Sequence, residues 1–310
     1  MRLFRHASAG AGDRGAVVAI GNFDGVHRGH QAVIGMAGTR ARALGAPHAV
    51  LTFEPHPRRL FKPDEPPFRL TPFRAKARAI EALGVDLLFA LHFDHAFARA
   101  SAESFIHEVL IKGLGVREVV VGYDFVFGNR RRGTPSLLTE MGASLGFAVT
   151  IVRPVQEADG TIYSSTRIRE HLVAGRARAA AALLGRFWEI EGRVERGDQR
   201  GRHLGFPTAN LGLDDYLRPA TGVYAVRATL EGGVLHAGVA NFGYRPTLEG
   251  TALRFEAHLF DFAGDLYGSH LRVALIEHLR EERKFPGLDA LKAQIAEDAA
   301  KARAVLAKEG

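Results

Sequence analysis

One strand-to-helix turn near the N-terminus most constrains how this chain folds. The apolar run 16–20 predicts a buried β-strand, and the segment Gly-Asn-Phe-Asp-Gly-Val-His-Arg-Gly-His at 21–30 follows it before a predicted helix. Glycines at such a turn let the backbone approach a phosphate, and His27 and His30 lie on one face of the first helical turn. An isolated histidine pair could equally be two surface residues. The preceding strand and the flanking glycines favour a turn that binds a polyphosphate and needs no covalent nucleophile.

A second glycine-rich segment, Gly10–Gly15, matches the GxGxxG pattern of dinucleotide-binding proteins. That pattern requires a strand before it and a helix after it, whereas here the predicted strand comes after it. We therefore predict a flexible loop at 10–15. The chain contains no Gly-Lys dipeptide and hence no P-loop, so any kinase activity must use another kind of phosphate site.

Composition excludes several classes of protein. The 310 residues include no cysteine, which excludes disulfides, thiolate zinc sites and thiol nucleophiles. No apolar run is long enough to span a membrane, and the N-terminus lacks a signal-peptide pattern, so we expect a cytoplasmic protein. The net charge of +7 permits nucleic-acid binding, but the only basic run, Arg130–Arg132, has no interleaved aromatic residues. We expect small-molecule partners, no nucleic acid and no membrane; the sequence leaves the oligomeric state open.

Short apolar runs alternate with amphipathic stretches through the first half of the chain. This order predicts a Rossmann-like α/β domain, in which helices cover both faces of a parallel sheet. The predicted strands lie at 16–20, 49–53, 85–91, 116–122 and 147–152. The predicted helices span 71–83, with Thr71 as the N-cap, and 101–114. Ligands in such folds bind beyond the carboxyl ends of the strands, which is where three segments fall: 21–30, 54–57 and 122–125.

The pattern changes after Gly185. Short alternating segments broken by glycine predict an antiparallel β-barrel, and they lie at 188–194, 222–230, 234–239, 253–260 and 271–279. Residues 286–307 carry apolar positions at helical spacing, which predicts a terminal helix that packs on the barrel. We therefore predict two domains, 1–183 and 184–310.

Three further segments carry groups that suit phosphate, metal or ligand binding. Ser164–Thr166 place three hydroxyls at a predicted helix start, where they act as ordinary caps or bind phosphate. Thr208 and Asn210 offer hard oxygen ligands on one side of an extended segment, which suits a phosphate-bound Mg²⁺. The alternative for that pair is a turn whose side chains bond the backbone. The aromatic segment 122–128 follows a strand, and taken alone it favours loop packing.

The longer phrases around these residues resemble known families. GNFDGVHRGHQ at 21–31 is similar to the HxGH signature of nucleotidyltransferases, in the form found in bacterial bifunctional riboflavin kinase/FMN adenylyltransferases, and SSTRIR at 164–169 resembles its companion signature. GRHLGFPTANL at 201–211 resembles the riboflavin kinase half of the same family. Three later phrases agree with that half: GVYA at 222–225, GVANFGYRPT at 238–247 and EAHLFDF at 256–262. The resemblance covers nearly the whole chain.

The resemblance implies two successive reactions. The barrel would phosphorylate riboflavin with ATP to give FMN, and the N-terminal domain would join FMN to AMP from ATP, giving FAD and pyrophosphate. His27 and His30 would stabilise charge on the transferring α-phosphate, and Glu256 would act as the general base of the kinase reaction. The resemblance also implies Mg²⁺ bound by Thr208 and Asn210.

Further contacts to the substrates follow from the same resemblance. Asp124 and Phe125 would lie beside the flavin, although Val126 stands where the family often has arginine. The residues implied in binding ATP or its phosphates are Gly21, Phe23, Asp24, Gly25, Ser165, Thr166, Arg169, Gly201 and Gly205.

Two other functions stay open at this stage. One is a nucleotidyltransferase for a different cofactor precursor, which the kinase phrases argue against. The other is a non-catalytic flavin- or nucleotide-binding module, which the intact histidines and Glu256 argue against.

Overall fold

The computed structural model describes residues 1–157, 159–196, 206–247 and 250–309. It divides into two compact units. The first consists of Met1–Pro66 with Thr71–Ser164, and the second consists of Pro67–Leu70 with Ser165–Gly310. The functional domains 1–183 and 184–310 stay a prediction.

The first unit is built on a six-stranded parallel sheet, which confirms the predicted fold class. Its strands are β1 (Arg2–Phe4), β2 (Val17–Ile20), β3 (His48–Glu54), β4 (Leu87–His92), β5 (Glu118–Gly122) and β6 (Ala148–Val152). Their order across the sheet is β1-β4-β3-β2-β5-β6, and every neighbouring pair is parallel. The central strands are apolar on both faces, as a parallel sheet covered on both sides requires.

Helices cover both faces of this sheet. The helices of the first unit are α1 (Arg28–Leu44), α2 (Pro57–Phe61), α3 (Phe73–Glu81), α4 (His95–Ala98), α5 (Ala102–Ser104), a π-helix (Phe105–Leu114) that continues α5, and α6 (Pro135–Leu145). Residues of α1 and α3 pack in one core with Val17 and Ala19 of β2. The π-helix and α6 pack in the other core, with Val18 and Ile20. The unbroken apolar run of β2 therefore serves two cores at once.

Two local predictions in the first unit are wrong. The segment 10–15 is not simply a flexible loop, because Ala11–Asp13 form a 3₁₀ turn whose buried Asp13 bonds to Arg2. Thr71 is not the cap of α3, since Pro72 occupies the N-cap position. Of the two cap candidates that the sequence offers for the helix at 101–114, Ser101 accepts a hydrogen bond from a backbone N–H, whereas Ser104 makes no side-chain cap bond.

The second unit contains a closed antiparallel barrel, as predicted. Its strands are β7 (Trp188–Glu195), β8 (Ala209–Leu211), β9 (Gly222–Thr229), β10 (Leu235–Thr247), β11 (Gly250–Leu259) and β12 (His270–Arg280). They follow one another around the barrel in the order β10-β11-β8-β7-β12-β9. Phe242 and Phe255 face each other across β10 and β11 and are completely buried. Alternate residues of the same strands therefore point to the outer face of the barrel.

Helices α7 (Ser165–Val173), α8 (Ala177–Leu184) and α9 (Leu288–Ala307) complete the second unit, and α9 confirms the predicted terminal helix. Ala302 and Leu306 of α9 share a core with outer-face residues of β9. Arg280 at the end of β12 holds the buried Asp298 of α9 through several charged hydrogen bonds, the shortest of 2.7 Å. Within the described ranges, no helix is both long and apolar enough to cross a bilayer.

We predict that His48 makes the stability of the first unit depend on pH. Its ring nitrogens lie 3.2 Å from the Gly84 carbonyl and 2.9 Å from the Ile34 carbonyl. Burial nevertheless lowers the pKa of His48 below its usual 6.5, because desolvation of the charged ring outweighs these two contacts. As pH falls, the unfolded state therefore binds the proton before the folded state does. The stabilising contribution of neutral, buried His48 is complete above the unfolded pKa and is lost as pH falls through the lowered pKa of the folded state.

The measurement is hydrogen exchange of the sheet strands between about pH 8 and about pH 5, in the wild type and in His48→Gln. The difference in opening free energy between the two proteins should shrink on the acid side. The exposed His107→Gln serves as the control and should follow the wild type. A difference that stays constant over this range would contradict the assignment.

Two candidate active sites

The first candidate site lies at the carboxyl edge of the parallel sheet. The chain passes from β2 to β3 and β4 on one side, and then returns to place β5 on the other side of β2. The strand order therefore reverses at β2, and open α/β sheets bind ligands at such a reversal. As predicted, three segments leave the carboxyl ends of adjacent strands here: 21–30, 54–57 and 122–125.

His27 and His30 stack on each other at the start of α1. His27 is the N-cap, and its Nδ1 atom accepts a hydrogen bond of 3.3 Å from the backbone N–H of His30. The two imidazole centroids are 3.6 Å apart, and the ring of Phe23 stands at right angles to that of His30. A Cβ at Gly29 would lie 3.1 Å from the His27 ring. The glycine between the histidines therefore lets His27 fold back over the helix start.

The hydrogen bond to Nδ1 assigns the tautomer of His27. A ring nitrogen that accepts a hydrogen bond carries no proton, so a neutral His27 has its proton on Nε2. An Nε2–H group at a helix N-terminus suits a phosphate oxygen, because the helix dipole also favours negative charge there. His27 is only 5% exposed, and a hydrogen bond is stronger in a site that excludes most water.

The turn before α1 has an unusual backbone. Phe23 and Val26 have φ values of 48° and 44°, in the left-handed region that β-branched and bulky residues avoid. Gly25 lies between them with a φ of 89°. A Cβ at Gly21 would lie 3.0 Å from the Phe23 ring, so a larger residue here would require that ring to shift. Gln31 of α1 donates a 2.9 Å hydrogen bond to the Val26 carbonyl, which helps to hold the strained conformation.

Asp24 and Thr71 close this turn from inside. Asp24 Oδ1 accepts a 3.0 Å hydrogen bond from the Thr71 backbone N–H, and Thr71 Oγ1 accepts a 2.8 Å hydrogen bond from the Gly25 N–H. Both side chains are buried. This is the physical reason why Thr71 does not cap α3: its hydroxyl is used by the turn. A direct contact of Asp24 or Gly25 with ATP stays a prediction.

The segment after β5 combines one polar side chain with stacked aromatic rings. Asp124 is exposed, directly beyond the carboxyl end of the strand. The rings of Phe125 and Phe127 stack with centroids 5.3 Å apart, and the buried Phe127 also contacts Phe105. The structure thus gives Phe125 a packing partner, as the loop-packing alternative expected. The proposed flavin contacts of Asp124 and Phe125 stay predictions.

Ser165 and Thr166 begin α7 in the second unit, and Ser164, which directly precedes them, is the last residue of the first unit. Ser165 is half-buried and Thr166 is exposed at this helix start. Arg169 donates a 2.8 Å hydrogen bond from Nε to the Phe68 carbonyl, and its guanidinium lies over the Phe68 ring. Packing of Arg169 on residues 67–70 was not predicted from the sequence. The predicted phosphate contacts of these three side chains are not tested by these observations.

The second candidate site lies on the outer face of the barrel. Asn210 of β8 lies directly opposite Glu256 of β11, and Glu195 of β7 lies opposite Asn210 on the other side. Directly opposite residues of an antiparallel pair share one face, with Cβ atoms about 4.5–5.5 Å apart. The neighbouring Phe255 and Ala257 of β11 point inward and are fully buried. Strand register therefore brings the predicted metal ligand and the predicted base side by side.

Asn210 fits the role of a metal ligand. The residue is 9% exposed, and its Oδ1 atom is buried without a hydrogen-bond partner in the described part of the chain. Leaving such an oxygen unsatisfied costs about 1–3 kcal/mol, which a bound cation would offset. Thr208, two residues earlier, is half-buried and offers a hydroxyl oxygen. Neutral oxygen donors beside a carboxylate suit Mg²⁺, which binds few protein groups and keeps positions for water and phosphate.

His258 fixes the chain just before these residues. Its Nδ1 atom lies 2.8 Å from the Pro207 carbonyl, and its ring packs against Phe206. Its place in EAHLFDF, two residues after Glu256 and on the same strand face, was the signal that could have revealed this contact. Gly201 and Gly205, which the sequence analysis assigned to phosphate binding, lie outside the described residues.

Comparison with known proteins identifies both halves. Residues 10–167 match the FAD synthetase family model, and residues 184–306 match the riboflavin kinase model. The two matches define a transferase that carries a nucleotidyltransferase domain and a kinase domain.

Curated relatives match almost the full length of the chain. The bifunctional riboflavin kinase/FMN adenylyltransferase of Escherichia coli K12 is 43% identical over 305 residues, which cover 98% of this chain and 97% of the relative. The Pseudomonas fluorescens protein of the same description is 45% identical and covers 95% and 94%, respectively. The chain belongs to the bifunctional riboflavin kinase/FMN adenylyltransferase family, whose two activities lead from riboflavin through FMN to FAD.

A solved structure also resembles the whole chain. The crystal structure described as a macrolide-efflux protein from Streptococcus pneumoniae has a TM-score of 0.84 at 32% identity and covers 96% of both chains. The efflux named for that protein is not carried over to this chain, because both family models that match here describe enzymes.

We predict that Thr71→Val destabilises the first unit by about 1–3 kcal/mol, because the buried Gly25 N–H loses its acceptor. Asp24 loses the Thr71 hydroxyl donor at 3.4 Å but keeps the Thr71 backbone N–H. Hydrogen exchange of α1 and β2 is the suitable measurement, since the chain's single tryptophan, Trp188, lies in the second unit. Thr139→Val is the matched control, because its exposed hydroxyl bonds only within α6. Equal effects of the two substitutions would refute the role of Thr71 in the turn.

Proposed function

We propose a division of the two activities between the halves of the chain. Residues 1–183 transfer AMP from ATP to FMN, and residues 184–310 transfer the γ-phosphoryl group of ATP to riboflavin. The observation that carries the proposal is the register of β8 against β11, in which Asn210, whose Oδ1 is buried without a partner among the described residues, lies directly opposite Glu256. A carboxylate next to an unsatisfied amide oxygen suits proton removal beside bound metal and phosphate.

In the kinase reaction Glu256 acts as general base. It takes the proton of the riboflavin 5′-hydroxyl as that oxygen attacks the γ-phosphorus, and the bond from the γ-phosphorus to the β-phosphate oxygen breaks to release ADP. Thr208 and Asn210 would hold Mg²⁺, which neutralises phosphate charge when bound. His258 positions Pro207 and so orients the residues that follow it.

In the adenylyl transfer the histidines act on the phosphates of ATP. A phosphate oxygen of FMN attacks the α-phosphorus in line, and the bond to the β-phosphate oxygen breaks to release pyrophosphate. His27 donates from Nε2, with the tautomer fixed by the His30 N–H, and the stack aligns His30 with the same phosphates. Alignment and charge stabilisation suffice, so no covalent nucleotidyl-enzyme forms.

The remaining assignments rest on the sequence resemblance. Asp124 and Phe125 contact the flavin. The residues proposed to contact ATP or its phosphates are Gly21, Phe23, Asp24, Gly25, Ser165, Thr166, Arg169, Gly201 and Gly205. We also infer a cytoplasmic enzyme whose partners are small molecules and not nucleic acid, because the chain's basic residues form no stripe interleaved with aromatic residues.

One assay tests the whole proposal. The purified protein is incubated with riboflavin, ATP and Mg²⁺, and the flavins are separated by chromatography over time. FMN should appear first and FAD should follow. Absence of any flavin product refutes the proposal, and formation of FMN alone refutes the adenylyl-transfer half.

We predict that His27→Ala combined with His30→Ala lowers FAD formation from FMN by at least about 10²-fold, because the loss of each ring removes charge stabilisation from the transition state. FMN formation from riboflavin should stay within about twofold of wild type. The matched control is His95→Ala with His107→Ala, two exposed histidines of the same unit. Equal loss of both activities would refute the division between halves.

The converse prediction concerns the barrel. Glu256→Gln should lower FMN formation by about 10²–10⁴-fold, since it removes the base but keeps the side-chain shape. Asn210→Ala should also block FMN formation and raise the Mg²⁺ concentration needed. Added FMN should still be adenylylated by both variants, and the exposed Glu281→Gln should match wild type in both reactions. Normal FMN formation by Glu256→Gln would exclude this base.

A further inference from the structure

A fully buried lysine lies under the phosphate-binding turn. Lys76 of α3 has no exposed surface, and its Nζ atom lies 2.7 Å from Glu54 Oε1 at the carboxyl end of β3. The same Nζ donates hydrogen bonds to the Asn22 carbonyl at 3.1 Å and to Thr52 Oγ1 at 3.2 Å. Lys76 thus links the ends of two adjacent strands, β2 and β3. No role in binding or chemistry has been assigned to it above.

Stability alone does not explain a charge at this position. Removing an ammonium and a carboxylate from water costs more than burying apolar side chains of similar size, and replacing a buried ion pair by apolar residues is often neutral or stabilising. Lys76 lies on the buried face of α3 together with Ala75 and Ile80, where an apolar residue would pack without that cost. The specific hydrogen bonds of Lys76 are therefore the feature that needs explanation.

Those hydrogen bonds converge on one backbone atom. The Asn22 carbonyl accepts from Lys76 Nζ and also from Thr52 Oγ1, at 3.2 Å. Asn22 directly precedes Phe23, where the backbone enters the left-handed region. A carbonyl held by two buried donors cannot rotate freely, so the peptide that begins the strained turn has one orientation. Thr71 and Gln31 hold the later part of the same turn.

We propose that Lys76 is a positioning residue for the adenylyl transfer. By fixing the Asn22 carbonyl it sets the path of the chain from β2 through the turn, and therefore the place at which His27 and His30 meet the ATP phosphates. Glu54 orients the lysine through the 2.7 Å contact between Oε1 and Nζ. This inference rests on the proposed function of the first unit, and it adds a determinant of alignment to the residues that touch ATP.

Alignment and folding can be separated by kinetics. A misplaced catalytic group loses transition-state stabilisation, so kcat and kcat/KM fall together while KM for ATP changes little. Lys76→Met with Glu54→Leu removes both charges at once and leaves no uncompensated carboxylate, so this double variant should fold. We expect it to lower kcat for FAD formation from FMN by about 10²-fold, with riboflavin phosphorylation unchanged.

Two further variants complete the test. Thr52→Val keeps the ion pair and removes one of the two donors to Asn22, so it should lower the same kcat by a smaller factor. Ile80→Val creates a small cavity in the core that Ile80 shares with the turn, but it removes none of the hydrogen bonds to Asn22, and it should keep wild-type kcat while the protein stays folded. If both Lys76 and Glu54 substitutions prevent folding, Thr52→Val still decides the question.

The outcomes are distinct. A wild-type protein that makes no FAD refutes the proposed function. If the wild type makes FAD and the folded double variant has a normal kcat, only the role of Lys76 is overturned. When the double variant does not fold, a normal kcat in Thr52→Val leads to the same conclusion. A kcat loss in Ile80→Val equal to that of the double variant overturns it as well, since general loosening would then explain the effect.

Discussion

Hydrogen bonding between neighbouring strands determines where both candidate sites lie. In the first unit, parallel pairing of β2 with β3 and β5 gathers three polar loops at one edge and reverses the strand order there. In the second unit, antiparallel pairing of β8 with β11 sets Asn210 opposite Glu256. A shift of one residue in that register would turn Asn210 toward the packed interior. The side chains of this candidate site are therefore brought together by backbone hydrogen bonds between strands, which take no part in the proposed chemistry themselves.

Buried polar side chains then give each site its shape. Thr71 with Asp24, and Lys76 with Glu54, hold the turn that precedes α1 at its two ends. Such groups are costly to bury, and each is satisfied by a specific partner. The Asn210 oxygen differs, because it is buried without a protein partner among the described residues. The two buried pairs of the first unit fix the backbone of the turn, whereas the Asn210 oxygen is left without a protein partner among the described residues.

Sequence reasoning succeeded where a local signal is strong. The run 16–20 is continuously apolar, the barrel segments and the terminal helix have clear periodicity, and each is found near its predicted place. β1 was missed because a three-residue edge strand has no pattern of its own and exists through its pairing with β4. β8 was predicted only as an extended segment, because its three residues are too short to show the alternation of a strand. β10 runs past its predicted end because glycine and asparagine interrupt the alternation there. The cap assigned to Thr71 failed because a distant backbone N–H took its hydroxyl.

The sequence by itself determined the two fold classes, the family and the candidate residues for the chemistry, since these depend on periodicity and on contiguous phrases. Only the tertiary structure decided which of those residues meet. The pairing of Asn210 with Glu256, the two donors on the Asn22 carbonyl and the use of Thr71 by the turn all join positions far apart in the chain. No local pattern encodes such contacts, because they arise from strand register and from the packing of helices on a sheet.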